Sequence, residues 1–322
     1  MAQHLTMDER TIIAEMHRRG ESGKAIAQRL GRHPSTISRE LRRNFAGGAY
    51  SGFAAQILAD WRRQERPLVR KMDRPHIMEA VCEGLARFWS PDQIAGRLRR
   101  EYPRDRCQRV SHQTIYNWIK RCSERKKWER FLRRKGRHRK PNTCRGKLKG
   151  TVSIAGRPPI VDRRERFGDW EGDTIIGGGR RGALVTHVER KSGYLMAAPV
   201  KDRKSHRINQ ATRRLFNDMP VPLRRTLTLD NGKEFAGHET IARQTGLAIY
   251  FADPGAAWQR GTNENTNGLL RQFFPKGSDL YHIHPWQVRR AVDLLNNRPR
   301  KRLGYRTPRE ILKKHFQIAF GN

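Results

Sequence analysis

The sequence predicts a mixed α+β protein, helical in its N-terminal half and α/β in its C-terminal half. Three observations lead there. Residues 5–44 carry apolar side chains at helical spacing, broken by Gly20 and Gly31. From about residue 158 the apolar residues fall into short strand-like runs, and helical spacing returns between the later ones. Between the halves lies a composition break: residues 121–150 hold 14 Lys or Arg against only Glu124 and Glu129. A length of 322 residues suits two or three domains. We divide the chain at 1–60, 61–120, 121–157 and 158–322.

The first element starts at Thr6, followed three residues later by Glu9, a capping-box pattern. Ile12, Ile13 and Met16 are expected on one face, and Gly20 ends the helix. Ser22 caps a second helix carrying Ile26, Ala27 and Leu30. A third begins near Pro34 and Ser35 and carries Ile37 and Leu41. A short helix, a glycine turn and a polar second helix form the helix-turn-helix pattern, whose second helix enters the DNA major groove. Its expected outward positions are Ser35, Thr36, Ser38, Arg39, Arg42 and Arg43. Those side chains suit phosphate and base contacts. A generic helical hairpin with a polar face would share the spacing, so the surrounding charge decides for DNA.

That charge is large. The formal net charge is +37 and the pI is near 11.3. Lys and Arg in such excess neutralise phosphates and release their counterions, so a nucleic-acid partner is expected. The 12 Phe, 7 Trp and 7 Tyr exclude a wholly disordered chain. No apolar run approaches the length of a membrane span, and MAQHLTMDER lacks the apolar core of a secretory signal. Cys82, Cys107, Cys122 and Cys144 form no C-x-x-C pair, which argues against a zinc ribbon or a disulfide scaffold. A cytoplasmic setting is expected, with no membrane partner.

In 61–120, Ser90-Pro91-Asp92 starts a helix with Ile94, Ala95 and Leu98. Ser111 caps another with Ile115, Tyr116, Trp118 and Ile119, leaving Gln113, Thr114, Asn117 and Lys120 outward. This pair reads either as a second helix-turn-helix with a long turn or as a structural bridge. Residues 121–157 read as an extended basic linker that tracks the DNA backbone.

The last region opens with a strand at Asp169–Ile176. Ala183–Val188 and Tyr194–Val200 follow, turned at Lys191-Ser192-Gly193. Ile208, Ala211, Leu215, Phe216 and Met219 recur at helical spacing. Leu227–Leu229 is a short strand, 238–245 a helix and Leu247–Phe251 a strand. A further helix begins near Thr262 or Asn263 and stops before Pro275, and the last runs from Pro285 to Asn296. This order gives a mixed α/β sheet.

Three acids stand on these elements: Asp173 in the first strand, Asp230 closing the fourth, and Glu264 in the first turn of the later helix. Residues 231–263, 33 in number, separate the last two. Carboxylates are hard ligands that suit Mg²⁺ or Mn²⁺, and such sites perform phosphoryl transfer. Each acid has an ordinary reading as well. Asp before Asn-Gly is a turn residue, and a first-turn Glu complements the helix dipole. Glu171 shares a strand face with Asp173, so either could be the ligand.

The surrounding strings are GDWEGD at 168–173, LDNGKEF at 229–235 and WQRGTNENTNGLLRQFFPKG at 258–277. With STISREL at 35–41, they resemble the IS-thirty family of bacterial insertion-sequence transposases. NNRPRKRLGYRTP at 296–308 looks like the closing segment of retroviral-type integrase cores. The resemblance implies a ribonuclease-H-like catalytic domain in which Asp173, Asp230 and Glu264 are the catalytic, metal-holding acids, with Mg²⁺ or Mn²⁺ as cofactor. Asn263, Asn265, Asn267 and Arg271 share the Glu264 helix. Asn267 and Arg271 are expected on the Glu264 face, along which the DNA terminus would lie. Lys233 and Gln259 are further candidates. The implied activity is cleavage at terminal inverted repeats to expose 3′-hydroxyls, then joining to target DNA. Bringing two ends together implies at least a homodimer. Two rivals are a helix-turn-helix transcriptional regulator and a metal nuclease of the same fold that cuts without joining.

Overall fold

A computed structural model describes residues 4–44, 49–65, 70–133, 150–254 and 256–320. The chain forms two compact units, residues 1–70 and 71–322.

The first unit holds α1 (Met7–Arg18), α2 (Gly23–Arg29), α3 (Pro34–Asn44) and α4 (Gly52–Gln64). Thr6 and Glu9 form the expected capping box, and Ser22 accepts from the Ala25 amide. Ile13, Ile26 and Ile37 meet with Leu5, Tyr50 and Ala55 in the core. Ile12 departs from the expected apolar face: it is 38% exposed, because Ile13 and Ala14 take the inward positions. Glu40 ties α3 to α1 by accepting from Arg10 Nε at 2.7 Å, with Asn44 and the Tyr50 hydroxyl on the same oxygen. α4 approaches α1 so closely that a Cβ on Gly52 would lie 2.7 Å from the Arg10 carbonyl oxygen. The domain boundary expected at residue 60 therefore falls inside a packed helix.

The second unit opens with α5 (Pro75–Ala86), α6 (Pro91–Glu101), α7 (His112–Arg121) and α8 (Arg125–Glu129). Ser90 and Ser111 cap α6 and α7. Ile77, Leu85, Ile94, Ile115 and Trp128 form this layer's core, with Phe131 and Leu132 beside them. Residues 121–133 are thus not the extended linker expected: apolar residues at 128, 131 and 132 recur at helical spacing and find a core. The rest of the basic segment, 134–149, lies outside the described residues.

The α/β layer follows: α9 (Ile160–Arg163), β1 (Asp169–Ile176), β2 (Ala183–Glu189), β3 (Leu195–Val200), α10 (Ser205–Asn217), β4 (Thr226–Leu229), α11 (His238–Thr245), β5 (Ala248–Phe251), α12 (Gly261–Leu270), α13 (Pro285–Asn296) and α14 (Pro308–Phe320). The sheet order is β3-β2-β1-β4-β5. β2 is antiparallel to both neighbours, whereas β1, β4 and β5 run parallel. This is the mixed, ribonuclease-H-like arrangement expected. Trp170, Leu227 and Leu229 pack with Ile208, Phe216 and Ile241 on one face. Ile175, Leu184 and Val188 pack with Leu269, Val288 and Leu295 on the other. Strand alternation puts Glu171 and Asp173 on the second face, with Ile175 and α12.

The helix expected from Pro285 to Asn296 is α13, with those bounds, but it is not the last, since α14 follows it. Its start was marked: Thr307 and Glu310 form a reciprocal cap. The loop before α14 docks on α6, where Gly96 makes room for the Tyr305 ring; a Cβ there would lie 2.1 Å from Tyr305 Cε1. Arg97 of α6 pairs with Glu310 at 2.8 Å.

Candidate active site and nucleic-acid interface

β1 and β4 pair in parallel, with Asp169 opposite Thr226 and Glu171 opposite Thr228. Asp173 comes two residues after Glu171 on β1, and Asp230 directly follows β4, so both acids leave the same end of this parallel pair. Arg260, at the entry to α12, reaches between them. Its Nη2 lies 3.3 Å from Asp230 Oδ2 and its Nη1 3.9 Å from Asp173 Oδ1. Nη1 also donates to the Gly172 carbonyl at 3.0 Å.

Asp173 is held on both oxygens. The Thr174 amide donates to Oδ1 at 2.8 Å and the Asn267 side-chain amide to Oδ2 at 2.9 Å. The Thr186 hydroxyl donates to Asn267 Oδ1 at 3.0 Å, so the amine end of that amide faces Asp173. Asp230 Oδ1 accepts from the Gly232 amide at 3.0 Å. Glu234 closes the group from below, accepting from the Thr174 hydroxyl at 3.1 Å. Burial pushes the Asp173 carboxyl up to about 6; Arg260 opposes the rise, while Asp230 and Glu234 add to it.

Glu171 has a different environment. It is buried, accepts from Arg190 Nη1 at 2.8 Å, and takes the Asn263 amide at 2.8 Å. It therefore anchors the N-terminal turn of α12, where a negative charge is favoured. Its oxygens serve the architecture, whereas those of Asp173 open toward Arg260 and Asp230.

Glu264 stands apart. It is exposed on the first turn of α12, because Asn263 and Asn267 take the sheet-facing positions. Among the described residues no group of three His, Cys, Asp or Glu is placed to hold a metal ion. The donor chemistry nonetheless suits one in part: two carboxylates already share a single cationic group, and such oxygens are ligands for hard divalent ions.

Two further candidates face inward rather than toward solvent. Asn267 is taken up by Asp173 and Thr186. Arg271 donates to the Ile176 carbonyl at 3.0 Å and to the Phe274 and Pro275 carbonyls at 3.4 Å. Desolvation lowers its pKa. The expected DNA-facing arginine is instead a clamp between α12 and the end of β1. Gln259 bonds the Asp253 amide and carboxylate ahead of α12, and Lys233 is exposed. Sequence reading passed over Arg260 and Glu234. Both lay inside the quoted strings, but pairing across strands, which brings them to the acids, has no local signal.

In α3, Ser38, Arg39, Arg42 and Arg43 are exposed, as the helix-turn-helix reading requires; Ser35 and Thr36 are half-buried. The Ser35 amide donates to His33 Nδ1, so His33 caps the helix. In α7, Gln113, Asn117 and Lys120 are exposed, while Thr114 is half-buried against the Ser111 hydroxyl. Among the described residues no helix is long and apolar enough to cross a membrane.

A family model described as a helix-turn-helix domain matches residues 2–44. The catalytic core domain of BIV integrase superposes with a TM-score of 0.39 at 19% identity, covering 48% of this chain and 98% of that one. The transposase for insertion sequence element IS4351 of Bacteroides fragilis is 40% identical, over 98% of this chain and 97% of its own length. Transposase InsI for IS30A of Escherichia coli K12 is 38% identical, over 97% of this chain and 84% of its own. The transposase for IS1086 of Cupriavidus metallidurans is 37% identical, over 96% and 94%. At this identity along nearly the whole length, the chain belongs to the IS30 family of insertion-sequence transposases.

Proposed function

We propose that the protein is a divalent-cation-dependent transposase. It binds the terminal inverted repeats of its element, frees 3′-hydroxyls by hydrolysis and joins them to target DNA. The observation that carries this reading is that Asp173, on β1, and Asp230, directly after the end of the parallel strand β4, both reach one cationic group, Arg260. Asp173 and Asp230 hold the cation, Mg²⁺ or Mn²⁺, and Glu264 is the third acid assigned to the set. When bound, the cation supplies charge neutralisation at the reacting phosphodiester. The chain's own part is positional. Asn267 orients the Asp173 carboxylate, Glu171 with Arg190 fixes the start of α12, and α3 presents Arg39, Arg42 and Arg43 to DNA. Synapsis of two ends requires a homo-oligomer, at least a dimer.

The test uses a labelled terminal fragment in Mg²⁺, in Mn²⁺ and in chelator. The wild type is expected to cut and join only with the cation. Asp173→Asn, Asp230→Asn and Glu264→Gln are each expected to abolish both steps while still binding the fragment. Cleavage without joining would favour the nuclease reading. Sequence-specific binding with neither step would favour a regulator.

A further inference from the structure

Four arginines are buried among the described residues: Arg10, Arg157, Arg190 and Arg298. The first three each meet a carboxylate: Glu40, Asp162 and Glu171 respectively. Arg298 does not. It is 2% exposed, and its guanidinium donates to two neutral amide oxygens, Gln93 Oε1 at 2.8 Å and Gln272 Oε1 at 3.1 Å. Arg300 beside it donates to the Leu295 carbonyl at 3.2 Å, at the C-terminal end of α13. Among the described residues it has no carboxylate partner either. Burial lowers both guanidinium pKa values, Arg298 to about 10 and Arg300 to about 9, and the mutual repulsion of the cluster, Arg133 included, lowers them further.

Buried cations without acids are costly unless an anion arrives from outside. There is room for one. A cavity of about 510 Å³ lies between the helical layer and the α/β layer, lined by Arg133, Arg298, Arg300, Gln93, Tyr116 and Asn265. Asn265 is the next residue after Glu264, so the cavity adjoins the α12 turn that carries the third acid. The NNRPRKRLGYRTP segment, to which the reaction assigns no task, supplies two of its three arginines.

We propose that this cavity is a phosphate subsite that receives a backbone phosphodiester of the DNA strand leading to the acids. The proposal rests on the reading of the protein as a DNA-processing enzyme. Planar guanidinium groups converging on one space suit two-pronged binding of phosphate oxygens, which Lys does not reproduce.

The experiment uses the full chain and inorganic phosphate as the first probe. Melting temperature is measured against phosphate, with chloride replacing it at constant ionic strength. A saturable rise is expected for the wild type and for Asp230→Asn, with loss of the rise in Arg300→Gln and Arg298→Gln. Arg133→Gln, changed at an exposed position, reports the same loss should the Arg298 variant fail to fold. No saturable rise, or an equal rise in all variants, overturns the subsite. A second arm measures binding of a DNA duplex against salt. Arg133→Gln and Arg300→Gln are each expected to lower the slope of log K on log[salt] by about 1. A phosphate response with an unchanged slope overturns the DNA assignment and leaves a free-phosphate site. Cation-dependent end cleavage, scored separately on the wild type, reports on the enzymatic reading, so the two fail independently.

Discussion

The Asn267 side-chain amide donates to Asp173 across 2.9 Å, while the Thr186 hydroxyl at 3.0 Å fixes which way that amide points. Helix α12 and strand β1 are thus joined at an acid assigned to chemistry. Asn267→Ala is expected to slow cation-dependent cleavage about 10–100-fold and to raise the Mg²⁺ concentration needed for half-maximal rate, with end binding unchanged. Asn267→Asp should be worse than Ala, because it sets a like charge against Asp173. A titration of cleavage rate against Mg²⁺ checks both; equal rates in wild type and Ala variant would contradict the positioning role.

Glu171 and Asp173 should separate in opposite directions. Removing the Glu171 carboxylate leaves buried Arg190 with only the longer contact to Asp162 at 3.6 Å, and Glu171→Ala is expected to cost about 3 kcal/mol of stability. Asp173→Asn removes an acid crowded by Asp230 and Glu234, so it should unfold at the same or higher denaturant while losing cleavage. Chemical denaturation beside an end-cleavage assay distinguishes them.

Arg260 is the counter-ion of the acid pair in the absence of metal. Arg260→Gln is therefore expected to lower the melting temperature in chelator and to enlarge the stabilisation gained on adding Mg²⁺. Melting curves with and without Mg²⁺ test this without recourse to catalysis. An unchanged Mg²⁺ increment would show that Arg260 does not stand in for the cation.

Arg271 is predicted to act through folding. Arg271→Ala forfeits hydrogen bonds to three carbonyls and should destabilise the chain by about 1–3 kcal/mol. Arg271→Lys, with a single ammonium in place of a planar fork, should recover only part of it. A variant of wild-type stability that has lost DNA binding would restore the DNA-facing assignment.

Acid sensitivity follows from His187. Burial in β2 presses its pKa to about 3, against about 6.5 in an unfolded chain. Below 6.5 the unfolded chain takes up a proton that the folded one refuses. Stability from this group is therefore complete above about pH 6.5 and falls toward pH 3, by about 1.4 kcal/mol per pH unit once well below 6.5. His187→Gln should flatten that fall; denaturation at about pH 7, 6 and 5 measures it.

Much of this was legible in the sequence because it is local. Strand β1 was bounded at Asp169 and Ile176 by its pattern alone, the Thr6 cap was marked by Glu9 three residues on, and the Ser90 cap by the Pro91-Asp92 that follows it. Asp173 and Asp230 were singled out by the strings around them, whose resemblance to a known family marks them, and both prove to lie beside Arg260. What was missed depends on pairing at a distance. The inward turn of Arg271 requires knowing where β1 ends beneath α12, and the separation of Glu171 from Asp173 requires Arg190 on the neighbouring strand. Gly172 shows the same limit: its missing side chain makes room for Leu229 and His187, which lie 57 and 15 positions away in the chain.

The docking of Tyr305 on Gly96, and of Arg97 on the Tyr305 carbonyl, joins residues 209 and 208 positions apart. On a ribosome adding about 5–20 residues per second, α6 emerges about 10–40 s before the loop it must receive. Throughout that interval the small hollow at Gly96 faces solvent, and the helical layer has its own core of Ile77, Leu85 and Ile115, joined late by Phe273 on Phe88 and Arg298 on Gln93. The final fastening of the enzyme is therefore a late event in synthesis. A message cut short before codon 305 yields a chain that contains Asp173, Asp230 and Glu264 but lacks the Tyr305 and Glu310 contacts with α6.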